Sequence, residues 1–450
     1  MKTFYKQKNI INNILQEQQI DVNKQYRLLH FCMIKKIDEN TVIFNNLTKE
    51  MSVLSFDEVQ AISKLPDFSN DIILPLIKKW YLVPVDNDDC KLSDQLFETS
   101  KLFENEGYLD SFVILTTTDC NARCFYCYEH GVTRNNMDSQ TALDVANFII
   151  KKSYGHKVSI KWFGGEPLYN SSVIDIISNR LAEKGIEFSA RMTSNGYLFD
   201  KELILKAKND WHISGVQITL DGTEDTYNKI KSYIYKDVGS PFQKVINNIV
   251  ELLNAGIKLE IRMNVSDENR NDLYKLVDYL SERLTDKDNI ILYAANLFDL
   301  YKNRSSIENI RMMQEYFKLC NHIQSRGFKF YDFLDRSISL ERGCMAQNKR
   351  SVVISPNGLL SNCEHFSEGE MIFGSIYTDD VKKDVIDYWH QYTKLDECKT
   401  CVAYPNCGGV SHCPNLSVHC PTNEKLMKES NFEEAMIKRY YRYKNKIGTK

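Results

Sequence analysis

The middle of this 450-residue chain predicts an α/β fold, a partial (β/α)6 barrel of TIM-like curvature with a smaller unit at each end. Three observations predict it. Six short apolar runs, many of them β-branched, have the length and composition of buried strands: Phe112 to Thr118, Val158 to Phe163, Glu187 to Thr193, Gly215 to Leu220, Lys258 to Val265 and Asn289 to Ala295. Between them lie longer segments with apolar residues at helical spacing, including Gln140 to Lys152, Val173 to Glu183, Phe242 to Asn254 and Asp272 to Leu284. Residues able to do chemistry fall just past the ends of the strand-like runs, where a parallel sheet with right-handed crossovers collects its active groups.

Residues 1 to 105 form a first unit. Leu28 to Lys36 reads as a strand, and Thr41 to Phe44 and Met51 to Leu54 as two more, joined by the polar turn Asn45 to Glu50. Ser55 caps a helix, with Glu58 completing a capping box, and a second helix within Ile72 to Trp80 starts near Pro75. A hairpin followed by short helices resembles, in reduced form, the winged-helix module that binds leader peptides in ribosomal peptide maturases. That resemblance implies a leader strand added at an exposed hairpin edge around Thr41 to Leu54. The alternative is a packing appendage that covers the next unit.

The barrel spans 106 to 335. Directly after its first strand comes Cys120-Asn-Ala-Arg-Cys124-Phe-Tyr-Cys127. Three thiols at this spacing can converge on one inorganic centre, and three ligands on a four-iron cluster leave one iron open. The C-x3-C-x2-C spacing, with Tyr126 before the last cysteine, resembles the signature of radical S-adenosylmethionine (SAM) enzymes. The resemblance implies that SAM chelates the open iron through its amino and carboxylate groups, with Tyr126 beside the cofactor. Gly164-Gly165-Glu166-Pro167 follows the second strand; the glycines let a backbone approach closely, and the carboxylate suits an ammonium. In the family this sequence supports the SAM amino group. Ser194 and Asn195, in Thr193-Ser-Asn-Gly196, are similar to the stretch that reaches the SAM ribose. Leu220-Asp221-Gly222 is similar to another family element, which has an arginine ten residues beyond its aspartate; Lys231 stands there in this chain and inherits the SAM-carboxylate role.

From 336 to 424 the chain has more glycine and proline, and seven cysteines between Cys344 and Cys420. Too little apolar material for a core predicts a segment held by metal. Cys398-x2-Cys401-x5-Cys407 alone would fit a zinc ribbon. With Cys344 and Gly358-x4-Cys363 before it, the segment resembles the SPASM extension that carries two auxiliary clusters. The resemblance implies an outer cluster on Cys398, Cys401, Cys407 and Cys420, and an inner one on Cys344, Cys363 and Cys413. Ser411 stands where the family's next cysteine usually falls, with Cys413 two residues on. The inner cluster's fourth position falls to Glu364, His365 or His412, or stays open to a substrate thiolate. Glu364 aligns with the catalytic base of sulfatase-maturing relatives. Cys32, Cys90 and Cys320 read as isolated thiols. Residues 425 to 450 end in a helix with Glu433 and Glu434 in its first turn and Lys438, Arg439, Arg442 and Lys444 later.

A net charge of −3 predicts no polyanion-binding surface, hence no nucleic acid, and the absence of a bilayer-length apolar run predicts no membrane span. Without a signal-peptide pattern, the expected compartment is the cytoplasm, where thirteen cysteines serve metal or redox chemistry. The resemblances together imply a radical SAM, SPASM-type maturase with three [4Fe-4S] clusters and SAM. Its partners would be a ribosomally made precursor peptide and a one-electron reductant such as flavodoxin or ferredoxin. An intramolecular crosslink, a thioether above all, is the expected product. A formylglycine-forming sulfatase maturase is the rival enzyme, and a zinc-stabilised binding protein the rival of another class.

Overall fold

The computed structural model describes residues 2–6, 14–66, 71–101, 107–236, 239–297, 306–329 and 345–412, with 433, 436, 437, 439–441 and 444 beyond them. The N-terminal unit comprises β1 (Lys2–Lys6), β2 (Tyr26–Leu28), β3 (Cys32–Ile37), β4 (Asn40–Asn45), β5 (Glu50–Leu54), α1 (Phe56–Ser63), α2 (Leu74–Lys78), β6 (Leu82–Pro84) and α3 (Asp89–Lys101). The capping box forms as expected: the Glu58 amide donates to Ser55 Oγ at 3.2 Å and the Ser55 amide to Glu58 Oε2 at 2.7 Å. Pro75 sits in the first turn of α2, where its missing N–H costs nothing.

Two expectations for this unit change. The strand read over Leu28 to Lys36 is two strands, because Leu29 and Phe31 bury completely between them and β2 turns away to pair with β6. The hairpin edge expected to be open is occupied. Sheet order is β1-β5-β4-β3, with β1 antiparallel to β5 from Lys2↔Val53 to Lys6↔Glu50, so β4 and β5 are both interior. The polar turn Asn45 to Glu50 does not face water either, since every residue in it is at most 5% exposed.

The barrel follows the predicted alternation: β7 (Ser111–Thr117), α4 (Ser139–Ser153), β8 (Val158–Gly164), α5 (Ser171–Glu183), β9 (Phe188–Ser194), α6 (Lys201–Asn209), β10 (Ile213–Thr219), α7 (Glu224–Lys231), α8 (Pro241–Asn254), β11 (Lys258–Val265), α9 (Arg270–Arg283), β12 (Ile290–Asn296) and α10 (Ser306–Ser325). Asp138, Asp200 and Ser240 cap α4, α6 and α8 with side-chain acceptors, which stops each helix from running back into its loop. Alternate strand residues such as Ile114, Ile160, Met192, Ile218, Ile261 and Leu292 bury against the helices. The intervening residues, from Lys161 through Arg191 and Gln217 to Arg262 and Tyr293, line the opposite, concave face.

Beyond the barrel come β13 (Ser351–Ile354), β14 (Leu359–Ser361), β15 (Ile372–Ser375), α11 (Lys383–Trp389), β16 (Tyr392–Thr393), α12 (Tyr404–Cys407) and β17 (Val410–Ser411). The expectation that this segment lacks a core is corrected. β13 pairs parallel with β7, and the sheet becomes nine-stranded in the order β12-β11-β10-β9-β8-β7-β13-β14-β15. Val352, Ile354, Leu360 and Phe373 join the barrel's apolar core. These short strands bury by borrowing the edge of β7, which a reading of the segment by itself could not supply. No helix among the described residues is long and apolar enough to cross a membrane.

Candidate active site

The cysteine loop leaves β7 through Asp119, whose amide donates to Thr117 Oγ1 at 2.9 Å and whose carboxylate accepts from the Cys120 amide at 2.8 Å. Two backbone bonds tie the loop to the far side of the barrel mouth, Arg123 N to Lys231 O at 2.8 Å and Ile234 N to Asn121 O at 3.0 Å. Cys120, Cys124 and Cys127 are free thiols, partly exposed. Burial, then the nearby Glu166, pushes the Cys120 thiol up to about 12. A thiolate there needs a cation beside it, which ligation by iron supplies.

The two glycines make a close approach within the protein itself. Gly164 has φ +117°, and a Cβ on it would lie 2.1 Å from the carbonyl oxygen of Thr117; a Cβ on Gly165 would lie 2.2 Å from that of Asp119. The end of β8 therefore lies against the cysteine loop's own backbone, joined by Gly165 N to Thr117 O and Glu166 N to Asp119 O, both 3.0 Å. This close approach delivers Glu166 to the loop, with Pro167 starting the turn that follows. Glu166 is fully buried. Its Oε1 accepts from Ser194 Oγ at 2.9 Å and from the Leu168 amide at 3.2 Å, and its Oε2 from the Asn195 amide at 2.7 Å. Asn195 in turn donates to Asn121 Oδ1 at 2.7 Å. Motifs from three strand ends thus meet in one polar knot.

Burial raises Glu166 to about 7 against the hydrogen bonds that favour its charged form. A carboxyl raised in this way is neutral in acid, and only its ionised form accepts fully from the N–H groups of an iron-bound amine. SAM affinity of the cluster-loaded protein is therefore expected to fall about tenfold per pH unit below roughly pH 7 and to level off above it. Calorimetric titration across that range reads this directly, and an affinity flat with pH would refute Glu166 as the partner of SAM's amino group.

Lys231 does not present its ammonium to the barrel mouth. It is 3% exposed and lies 3.1 Å from Oδ2 of the fully buried Asp221, while also donating to the Tyr126 hydroxyl at 2.9 Å. Tyr126 donates to the same Asp221 oxygen, and the Asn264 amide meets Oδ1 at 3.1 Å. Burial alone would depress Lys231, but Asp221 and Tyr126 overrule it and hold the ammonium above the usual lysine range. The geometry supports a structural brace between the cysteine loop and β10, and gives the SAM-carboxylate role no support. Asp221 and Tyr126 form this brace across 95 positions of sequence, so no local pattern marks it.

Glu364 follows Cys363 and enters the concave face, where Oε1 accepts from Lys161 Nζ at 3.1 Å and Oε2 is buried without a hydrogen-bond partner among the described residues. His365 stacks on Tyr128 with ring centroids 4.0 Å apart. The segments carrying Cys127 and Cys363 thus touch. Lys161, unmarked in the sequence, is the cation of this pair. Its strand position, one residue before the buried Trp162, is the only signal that it faces inward. His412 is held elsewhere, by Thr393 Oγ1 at 2.9 Å from its Nε2.

Cys398, Cys401 and Cys407 lie on consecutive turns, with Cys401 N bonded to Cys398 O at 3.2 Å and Cys407 N to Ala403 O at 3.1 Å. Cys344, Cys413 and Cys420 lie outside the described residues. Among the described residues no three His, Cys, Asp or Glu side chains are drawn together closely enough to hold one metal ion. At the barrel mouth, the free, partly exposed thiols and the carboxylate delivered beside them fit an iron-sulfur cluster with SAM.

This site defines a radical SAM enzyme. Residues 114–280 match the family model described as Radical SAM superfamily, and that part of the chain is a radical SAM domain. Among curated proteins the chain is 25% identical over 279 residues to the GTP 3',8-cyclase of Clostridium perfringens (strain 13 / Type A), covering 58% of this chain and 82% of that protein. It spans about half the length of the probable GTP 3',8-cyclases of Methanococcus vannielii and Methanococcus maripaludis that it also matches. Two solved structures share the fold. One is native anSMEcpe with bound AdoMet and Cp18Cys peptide, with a TM-score of 0.56 and 18% identity, covering 75% of this chain and 99% of that one. The other is Streptococcus suis SuiB bound to precursor peptide SuiA, with a TM-score of 0.51 and 15% identity, covering 87% and 96%.

Proposed function

We propose that this enzyme modifies a ribosomally made peptide, installing an intramolecular crosslink, with a thioether the favoured bond. The observation that carries the reading is the concave face. The cysteine loop, Glu166 and the Lys161–Glu364 pair open onto one side of the sheet, and Glu364 arrives there from the C-terminal segment that continues the same sheet. When bound, the cluster and SAM supply a 5'-deoxyadenosyl radical able to take a hydrogen atom from an unactivated carbon. The chain's own residues hold the SAM amino group at Glu166 and keep a carboxylate, Glu364, ready to accept a proton from the substrate, with Lys161 stabilising its charge. Two auxiliary clusters on the C-terminal cysteines and a flavodoxin or ferredoxin as electron source belong to the same proposal. So does a leader peptide read by the N-terminal unit. With β5 already paired, the sheet edges among the described residues are β1 and β3, and an added strand would join one of those.

Mass spectrometry of a precursor encoded beside the enzyme and coexpressed with it tests the reading. Loss of a pair of hydrogens per bond, with the acceptor cysteine's sulfur no longer alkylatable, is the expected result. Oxidation of a single cysteine or serine to formylglycine would make it a sulfatase-type maturase, and an unaltered peptide would sink the proposal. The similarity to GTP 3',8-cyclases over 279 residues favours a second reading, a nucleotide substrate. Anaerobic incubation with GTP and SAM separates the two, since only that reading expects GTP to be consumed.

A further inference from the structure

The turn between β4 and β5 is a polar hairpin turn that has no business being buried. Loops run over the surface because their polar groups need water, yet Asn45, Asn46 and Lys49 are each 0% exposed. What covers the turn is the C-x2-C-x5-C segment. Asn46 Nδ2 donates to the carbonyl of Val402, next to Cys401, at 2.6 Å. Lys49 Nζ donates to Asn406 Oδ1, next to Cys407, at 2.7 Å, and to Asn46 Oδ1. Nearby, the Cys90 thiol donates to the Cys398 carbonyl at 3.4 Å, and the ring of Phe31 stacks on Tyr404.

Lys49 is thus a fully buried ammonium whose hydrogen bonds go to two amide oxygens and which has no carboxylate partner among the described residues. Amide oxygens satisfy its N–H groups without cancelling its charge. A buried charge is costly unless an opposite charge stands near it. Burial, followed by the charge of the equally buried Arg439, holds Lys49 well below the usual lysine range. A buried lysine with no carboxylate partner among the described residues calls for an anion, and the segment it presses against carries three cysteines. A cluster ligated by thiolates is negative and becomes more so on reduction.

We propose that Lys49 is the counter-cation of the outer auxiliary cluster, built into the N-terminal unit so that its charge stabilises the cluster and above all the cluster's reduced form. The inference rests on the reading that Cys398, Cys401 and Cys407 hold a cluster. It makes the N-terminal unit part of the electron-transfer apparatus, whatever else that unit binds.

The test uses the full chain after anaerobic reconstitution, with iron counted per chain and each cluster followed by electron paramagnetic resonance during a redox titration. The Cys398→Ala/Cys401→Ala/Cys407→Ala variant identifies the outer cluster as the signal that disappears. Lys49→Met is expected to lower the reduced-to-oxidised ratio of that same signal about tenfold at fixed potential, a shift of about 59 mV for one electron. Lys49→Arg, which keeps the charge, is expected to titrate like the parent. Should Lys49→Met lose the outer-cluster iron outright while Lys49→Arg keeps it, charge is again the cause and the proposal stands. Equal loss in both variants, or a Lys49→Met titration identical to the parent, overturns it and leaves the cluster reading intact. If the triple cysteine variant keeps all its iron and every signal, the cluster reading itself fails.

Discussion

Changing Cys120, Cys124 and Cys127 together to alanine is expected to drop SAM cleavage to the uncatalysed background and to remove about four irons per reconstituted chain. The loss should be total because the loop supplies every protein ligand of the cluster whose open iron SAM would complete. The fold itself should survive. The loop is held by backbone bonds, Arg123 N to Lys231 O and Gly165 N to Thr117 O among them, that do not involve the thiols. Quantifying 5'-deoxyadenosine and iron in the same preparation checks both halves. Retained cleavage would remove the cysteine loop from the mechanism, and unchanged iron would remove it from cluster binding.

The second large effect is expected at Lys231. Replacing it by methionine leaves the carboxylate of Asp221, 0% exposed, without its cation, and breaking a buried pair from one side costs about 3–5 kcal/mol. The Asn264 amide and the Tyr126 hydroxyl still donate to Asp221, which places the cost toward the lower end of that range. Lys231→Met combined with Asp221→Asn removes both charges, and most of the lost stability should return. The excess of the single variant's loss over the double's is the signature of the pair. Urea midpoints and slopes of the parent and the variants measure it. If Lys231→Met were neutral to stability yet weakened SAM binding, the ammonium would be serving the cofactor instead of the brace.

Much of the barrel was readable in the residues. The strand over Lys258–Val265 falls where the apolar run places it, and the other barrel strands differ from their runs by one or two residues at an end. Periodicity is reliable there because each strand buries one face against helices whose own caps, Asp138, Asp200 and Ser240, are written beside them. Short strands fared differently. β1 and β13 acquire their pairing from partners far away in the chain, and the three or four residues of β13, β14 and β15 carry no period to detect. The glycine pair was recognised as a close-approach device, but what it approaches proved to be the cysteine loop's own carbonyls.

By itself the sequence determined the reaction class. Spacing within a loop sets which thiols can share a cluster, and local order along the chain sets which strand end carries them. Its motifs also name Glu166, Ser194 and Asn195, because each ends a strand at the same edge of a parallel sheet. Only the tertiary structure decided what charge does. Lys231 becomes a brace because Asp221 lies 3.1 Å away in a place water does not reach, and Lys161 meets Glu364 across 203 positions of chain. Lys49, in a polar turn by sequence, is interior because the cysteine segment closes over it. The role of a charge depends on its desolvation and on the sign of what stands beside it. Both are set by contacts between distant segments, and a linear pattern carries neither.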